Sequence, residues 1–311
     1  FDSEDHLALI VERMITPLGR RLDYSSPMVD ARLPDGSRIN AVAPPVAVHG
    51  LQVAIRKFKP NLSIENLVGY GAISPELAQA LKACVQARLS IVVSGGTGSG
   101  KSTFLNALVE FIPQHLSIIT IENPVELRLN HPRVRSWEAK PPNIEGKGEI
   151  SQLALVINAL RARPDIIIVG EVRGPEAFAL LQALNTGHAG SMTTAHANNV
   201  SDAMKRLVSM VASAGQLSPA LIPSYVASGI DLVVQLSRMP DGSRKLVEIA
   251  EVMGERDGEI ETNPMVRYVV DGYDDQGRVI GRWEETGNRF ERIGRLREAK
   301  VEWPGWLRKG E

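Results

Sequence analysis

Apolar positions along the chain recur at two different periods, and the switches between them mark out its elements. Over residues 4–16, Leu7, Ile10, Val11, Met14 and Ile15 fall at helical spacing behind Asp2 or Ser3 as a cap. Two strand-like runs, 28–33 and 38–42, flank Pro34-Asp35-Gly36-Ser37 and predict a hairpin. Residues 51–58 alternate as a third strand, with Phe58 at its end. Helices are expected over 63–67 and 74–87, the second opened by Ser74-Pro75-Glu76, which joins a cap, a first-turn proline and an early acid.

Beyond residue 88 the alternation gives way to buried-strand segments, the largely apolar 89–93, 116–121 and 166–169 and a fourth strand at 191–194, separated by segments of helical period. Helical spacing at 103–111, 153–160 and 176–184 suits covers for a mostly parallel sheet. Further helices are expected at 201–214 and 219–229. Strands at 231–236 and 245–252 flank the turn Met239-Pro240-Asp241-Gly242-Ser243, and strands at 265–270 and 279–283 flank Asp274-Asp275-Gln276-Gly277. The tail from Asn288 is charged, holds Trp303 and Trp306, and receives no assigned structure.

Composition narrows the picture. A chain of 311 residues is more naturally two domains than one, and 43% apolar with 23% charged residues is ordinary for a globular protein. A formal net charge of -1 gives no global attraction for nucleic acid, so no specific nucleic-acid partner is expected. Cys84 is the single cysteine, which excludes an intrachain disulfide and fits a reducing, cytoplasmic setting. No apolar run approaches membrane-spanning length, so association with a membrane is expected through a protein partner. The chain opens on Phe1, not methionine, which leaves room for a segment upstream.

The chemistry begins at Gly95-Gly96-Thr97-Gly98-Ser99-Gly100-Lys101-Ser102, between a buried strand and the helix that Thr103 opens. Glycines let successive backbone N–H groups turn toward a polyphosphate, Lys101 reaches the β- and γ-phosphates, and the Ser102 hydroxyl can ligate Mg²⁺. The helix N-terminus adds a favourable dipole. A nucleoside triphosphate is therefore the expected ligand, and the second domain reads as a RecA-like α/β core.

Three further groups fall after the later strands, at the edge where ligands of open α/β sheets collect. Glu122-Asn123-Pro124-Val125-Glu126 offers two carboxylates that could position metal-bound or attacking water. The apolar strand 166–169 delivers Glu171, where an NTPase needs its metal-water ligand or general base. His188 and His196 flank the strand at 191–194 and could sense a terminal phosphate or carry charge near it; no cysteine or third nearby histidine completes a zinc site.

In order, residues 95–102, 120–126, 163–173 and 187–198 resemble the Walker A, Asp box, Walker B and His box of the secretion ATPase superfamily. That superfamily serves type II and type IV secretion, pilus assembly and retraction, and conjugation. Residues 140–150 look most like the tight-adherence pilus ATPases of the CpaF or TadA type, with VirB11 and TrbB proteins as close relatives. The resemblance implies ATP and Mg²⁺ as cofactors, with Ser102 and Glu171 at the metal. It implies a homohexameric ring peripheral to the inner membrane, held there by a platform protein. By the same resemblance, Arg38 and Arg56 match arginines that reach the phosphates from the N-terminal domain. Asn123 departs from the aspartate of many relatives, and residues beyond 270 extend past the usual end. The expected organisation is a small α+β domain over 1–86, with a boundary alternatively near 70, a RecA-like P-loop domain over 87–262, and a hairpin-and-tail extension over 263–311.

Overall fold

The structure is a computed structural model that describes residues 1–57, 61–143 and 147–302. Phe58, residues 144–146 of the stretch resembling the pilus ATPases, Trp303 and Trp306 lie outside the described residues. The chain divides into two compact units, Phe1–Pro60 with Pro142–Lys147, and Asn61–Pro141 with Gly148–Glu311.

In the first unit, helix α1 (Glu4–Ile15) starts where Ser3 Oγ accepts the His6 N–H at 3.1 Å, with Glu4 and Asp5 favourably placed in its first turn. Strands β1 (Met28–Arg32), β2 (Arg38–Val42) and β3 (Gln52–Arg56) form an antiparallel sheet in that order. Asp35 Oδ1 accepts the Ser37 N–H at 2.9 Å and fixes the β1–β2 turn. The helix and sheet share a small core of Val11, Ile15, Val29, Ile39 and Ala41.

The second unit opens with helices α2 (Ile64–Gly69) and α3 (Pro75–Gln86), capped by Ser63 and Ser74. Strand β4 (Ile91–Gly95) leads into helix α4 (Lys101–Val109), followed by β5 (Ile118–Glu122) and β6 (Val134–Glu138). Helix α5 (Gln152–Arg161), strand β7 (Ile166–Val169), helix α6 (Glu176–Asn185), strand β8 (Met192–Ala195), helix α7 (Val200–Ser213) and helix α8 (Ile222–Gly229) continue the alternation. Strands β9 (Leu232–Arg238), β10 (Arg244–Arg256), β11 (Glu259–Tyr273) and β12 (Val279–Glu285) follow, then helix α9 (Ile293–Glu298).

Among the described residues, nine strands form one sheet in the order β12-β11-β10-β9-β4-β8-β7-β5-β6. The run from β9 to β6 is parallel, and β9 to β12 is an antiparallel meander. Every residue of β4, β5, β7 and β8 is buried. One face packs against α2, α3, α4 and α9, the other against α5 to α8.

Three expectations change. The first domain boundary falls at 60/61, not 86, because Ile64, Leu67, Leu77 and Leu81 bury in the larger core. Strand β6 was unforeseen; its pattern Val134-Arg135-Ser136-Trp137-Glu138 is too polar to announce an edge strand. The stretch beyond 263 is no separate extension, since β10 to β12 continue the central sheet and the tail folds back as α9. Phe290, Ile293 and Leu296 enter the core beside Met265.

Charge pairs fasten that tail. Asp231, just before β9, accepts Ser90 N–H, Arg292 Nε and Arg295 Nη1, each at 2.7 Å. Arg295 Nη2 donates to Arg88 O at 2.7 Å. Fully buried Glu251 on β10 accepts the N–H groups of Glu291 and Arg292, both at 3.1 Å. Asp231→Ala would leave part-buried Arg295 without its carboxylate and Arg292 with only Glu251, 3.7 Å away, so it should lower unfolding free energy by about 1–3 kcal/mol in urea titration. Arg282→Ala, on the exposed hairpin where Asp271 and Glu284 are its partners, should leave the urea midpoint nearly unchanged.

Candidate functional site

The glycine loop leaves β4 at its carboxyl end and turns into α4 through Gly100, at φ +94°. That backbone conformation suits glycine alone at little cost. Gly95 is required for a different reason, since a Cβ there would collide with Ser99 Oγ and lie 2.7 Å from Leu236 O. Beside Gly96 and Gly98 the space is open. Thr97 is exposed at the crown, and Thr103 lies in the first turn of α4.

Lys101 Nζ donates to the carbonyls of Gly95 and Gly96 at 2.9 and 3.0 Å, so the ammonium rests over its own loop. Burial lowers its pKa, while the negative charge of Glu171 acts to raise it. Ser102 Oγ donates to Glu126 Oε2 at 3.2 Å. Loop, ammonium and hydroxyl thus face one edge with a carboxylate already on the hydroxyl, a donor set that fits a phosphate chain with Mg²⁺. Among the described residues no group of three or more His, Cys, Asp or Glu could hold a metal ion, and Mg²⁺ bound here would take the rest of its shell from water and phosphate oxygens.

Glu122 ends β5 in register with Glu138 at the end of β6. Its Oε1 accepts the N–H groups of Glu126 and Leu127, both at 2.9 Å, so this carboxylate fixes the turn that presents Glu126 to Ser102. Its Oε2 has no hydrogen-bond partner among the described residues. Burial, with the charges of Glu126 and Glu138, pushes Glu122 up to about 7 against those two hydrogen bonds. A Cβ at Gly170 would sit 2.8 Å from Glu122 Cγ, so the glycine after β7 makes room for it.

Glu171 follows at the same edge, where Arg173 Nη2 donates to its Oε2 at 2.6 Å. Glu176 Oε1 accepts the N–H groups of Arg173 and Gly174 at 2.6 and 2.9 Å and shapes this turn. Thr194 Oγ1 on β8 donates to Gly170 O at 2.7 Å, tying the two strand ends together.

The two histidines separate. β8 is parallel to β4, with Ala195 opposite Ser94, so His196 emerges at the edge of the glycine loop. His188 lies before β8, where a Cβ on neighbouring Gly190 would be 3.1 Å from Arg88 Cα. Its Nδ1 lies 3.3 Å from Ala183 O, and its N–H donates to the same carbonyl at 3.1 Å. Within the subunit the length of β8, roughly 13 Å, separates His188 from that edge.

Arg38 and Arg56 belong to the first unit, where they face each other in register across β2 and β3. Arg32 faces Arg38 from β1, which makes a row of three arginines at one end of that sheet, with Arg38 Nη2 on Asp30 Oδ2 at 2.8 Å. Sequence reasoning missed Arg32, although the hairpin register 32↔38 was implicit in the turn. It also missed Arg244, whose Nε donates to Gly98 O at 3.1 Å. The expected strand began at 245, so Arg244 fell between it and the turn at 239–243, with no sign that it reaches the loop.

Glu122 gives a pH signature. Its folded-state pKa lies above the unfolded value, so the native state holds the proton more tightly and its contribution to stability falls as pH rises from about 4.5 to about 7. The swing is about 3 kcal/mol. Glu122→Gln keeps an oxygen for the two N–H groups and removes the titration. The variant should gain on wild type by up to that amount across this window, read by urea titrations at a series of pH values. Parallel profiles would return Glu122 to an ordinary carboxylate.

A family model described as type II/IV secretion system protein matches residues 1–257. A Mycobacterium tuberculosis protein named for conjugal transfer is 37% identical over 268 residues, covering 84% of this chain and 76% of its own. The conjugal transfer protein TrbB of Rhizobium radiobacter is 30% identical over 259 residues, covering 82% and 76%. Among solved structures, the VirB11 ATPase of the Brucella suis type IV secretion system, in complex with sulphate, is similar at TM-score 0.50 and 28% identity, covering 80% of this chain and 83% of that one. The pilus retraction motor PilT with bound ADP shares the fold at TM-score 0.54 and 21% identity, covering 82% and 71%. Four ordered motifs on a RecA-like sheet and a match across most of the sequence agree: this chain belongs to the type II/IV secretion system protein family.

Proposed function

We propose that the chain is an ATP-hydrolysing motor subunit that drives a secretion or pilus machine by nucleotide-dependent domain motion. The observation that carries this reading is the strand order β4-β8-β7, which sets Lys101 and Ser102 on the same sheet edge as Glu171, two strands away. Backbone N–H groups of the glycine loop and Lys101 would bind the phosphates. Ser102, with Glu171 through water, would hold Mg²⁺, which when bound draws charge from the terminal phosphate. Glu171 is the general base that takes a proton from the attacking water. Glu126 orients the Ser102 hydroxyl, Glu122 fixes Glu126, and His196 reads the terminal phosphate. The ligands of two similar proteins, sulphate on VirB11 and ADP on PilT, support the same reading.

Arg38 and Arg56 would stabilise charge on the transferring phosphoryl group in a homohexameric ring that brings the first unit over the nucleotide. A planar guanidinium suits that task. Membrane work would come through an inner-membrane platform protein, with the motor cytoplasmic and peripheral; among the described residues no helix is long and apolar enough to cross a membrane. Tight-adherence pilus assembly is the first system we infer, from residues 140–150. Conjugative or type IV secretion is the second, favoured by relatives named TrbB and PtlH.

Lys101→Ala should weaken ATP and ADP binding. Glu171→Gln should keep binding and cut steady-state phosphate release by about a hundredfold or more. Equal loss of affinity in both variants would overturn the division of roles. A wild-type protein that binds ATP without turning it over would leave a nucleotide switch in place of a motor.

Ring formation should appear as turnover per subunit that rises with protein concentration in step with sedimentation. Arg38→Ala and Arg56→Ala should each lower kcat, by up to about a thousandfold or more for a true arginine finger, with the melting temperature retained. Full activity in a monomeric double variant would sink the mechanism.

A further inference from the structure

The loop has cationic groups on the side away from Glu171 that the reading above leaves idle. β10 lies two strands from β4 on one flank, and β7 two strands on the other, so Arg244 and Glu171 stand on opposite sides of the glycine loop, each roughly 10 Å along the sheet. Arg244 Nε donates to Gly98 O at 3.1 Å, and its Cδ lies 3.6 Å from where a Gly100 Cβ would be. Arg238 is its partner in register across the β9–β10 hairpin. Both side chains are exposed, and among the described residues neither has an ion-pairing carboxylate.

Nearby charges do not explain the pair. Asp241, in the intervening turn, accepts the N–H groups of Ser243 and Val279, both at 2.8 Å. Lys245, the next residue along, donates to Gly71 O at 2.5 Å and adds another positive charge. Two arginines directly opposite each other on neighbouring strands repel, and an anion between or beside them relieves that repulsion.

We propose that Arg244, with Arg238 across the hairpin, holds the nucleoside-proximal phosphate of the bound nucleotide. The inference rests on the nucleotide reading above. With the terminal phosphate directed toward Glu171, the phosphate chain must run back over the loop toward β9 and β10. Arg244 already anchors one donor on the loop carbonyl, which leaves the Nη groups of a planar fork for phosphate oxygens. Because ADP and ATP both carry that phosphate, Arg244 contributes to binding each of them equally and leaves the chemical step alone.

Three probes test this by calorimetry and competition: ADP, ATP, and inorganic phosphate, which fills one position at the helix N-terminus. Arg244→Gln retains a donor for Gly98 O while removing the charge. It should raise the Kd of ADP and of ATP by the same factor, about ten- to a hundredfold, with phosphate affinity unchanged and kcat at saturating ATP within about twofold. Arg238→Gln should act in the same direction and by less. Loss of phosphate affinity in step with ADP would reduce Arg244 to a shaper of the loop and overturn the proposal. So would unchanged ADP binding in a wild-type background that binds it. A wild-type protein that binds neither nucleotide would instead overturn the nucleotide reading itself, and this inference with it.

Discussion

Burial of β4, β5, β7 and β8 on both faces is the constraint on which the rest depends. Parallel strands covered by helices above and below have no face left for chemistry, so polar function moves to the ends. All four strands point the same way, so their carboxyl ends gather the glycine loop, Glu122, Glu171 and His196 on one edge from four separate stretches of sequence. The amino ends gather something different. There Arg88, Asp231, Arg292 and Arg295 form a bonded cluster that closes the core beneath the last helix. One sheet therefore divides its two edges between a reactive rim and a structural seam.

Much of this was legible in the sequence for a physical reason. A strand buried on both faces tends to a short apolar run, and 166–169 is unbroken while 116–121 is interrupted only by Ser117 and Thr120. Spacing also carried the loop, because Gly100 and Gly95 are fixed by backbone conformation and close approach. What stayed hidden was relational. Glu122 and Glu126 read as equivalent acids, yet one is sunk behind Gly170 and holds main chain while the other meets Ser102. His188 and His196 read as a pair, and only the direction of β8 parts them. The tail gave no period because α9 has six residues, too few to display one, and its attachment runs through ion pairs with residues some sixty positions earlier.

The reactive rim is also electrostatically tense. The charges of Glu126 and Glu138 both disfavour ionisation of buried Glu122, while Lys101 and Arg173 are engaged with loop carbonyls and Glu171. An arrangement of this kind is uneven in charge when empty, negative around Ser102 and positive around Gly98. A ligand that carries both a dication and a polyanion complements each half, which a phosphate ester alone or a metal alone does not.

The seam between α9 and the sheet also sets an order in time. The small sheet of the first unit has all its strands once Arg56 has been made, whereas the larger core lacks Ile293 and Leu296 until some 240 residues later. At ordinary rates of synthesis that interval is on the order of ten to fifty seconds. During it β4 to β11 are made before the helix that completes one face, and Leu232 and Met265, once made, wait uncovered. Nascent chains on one messenger therefore display the completed three-stranded sheet while the larger core is still unfinished.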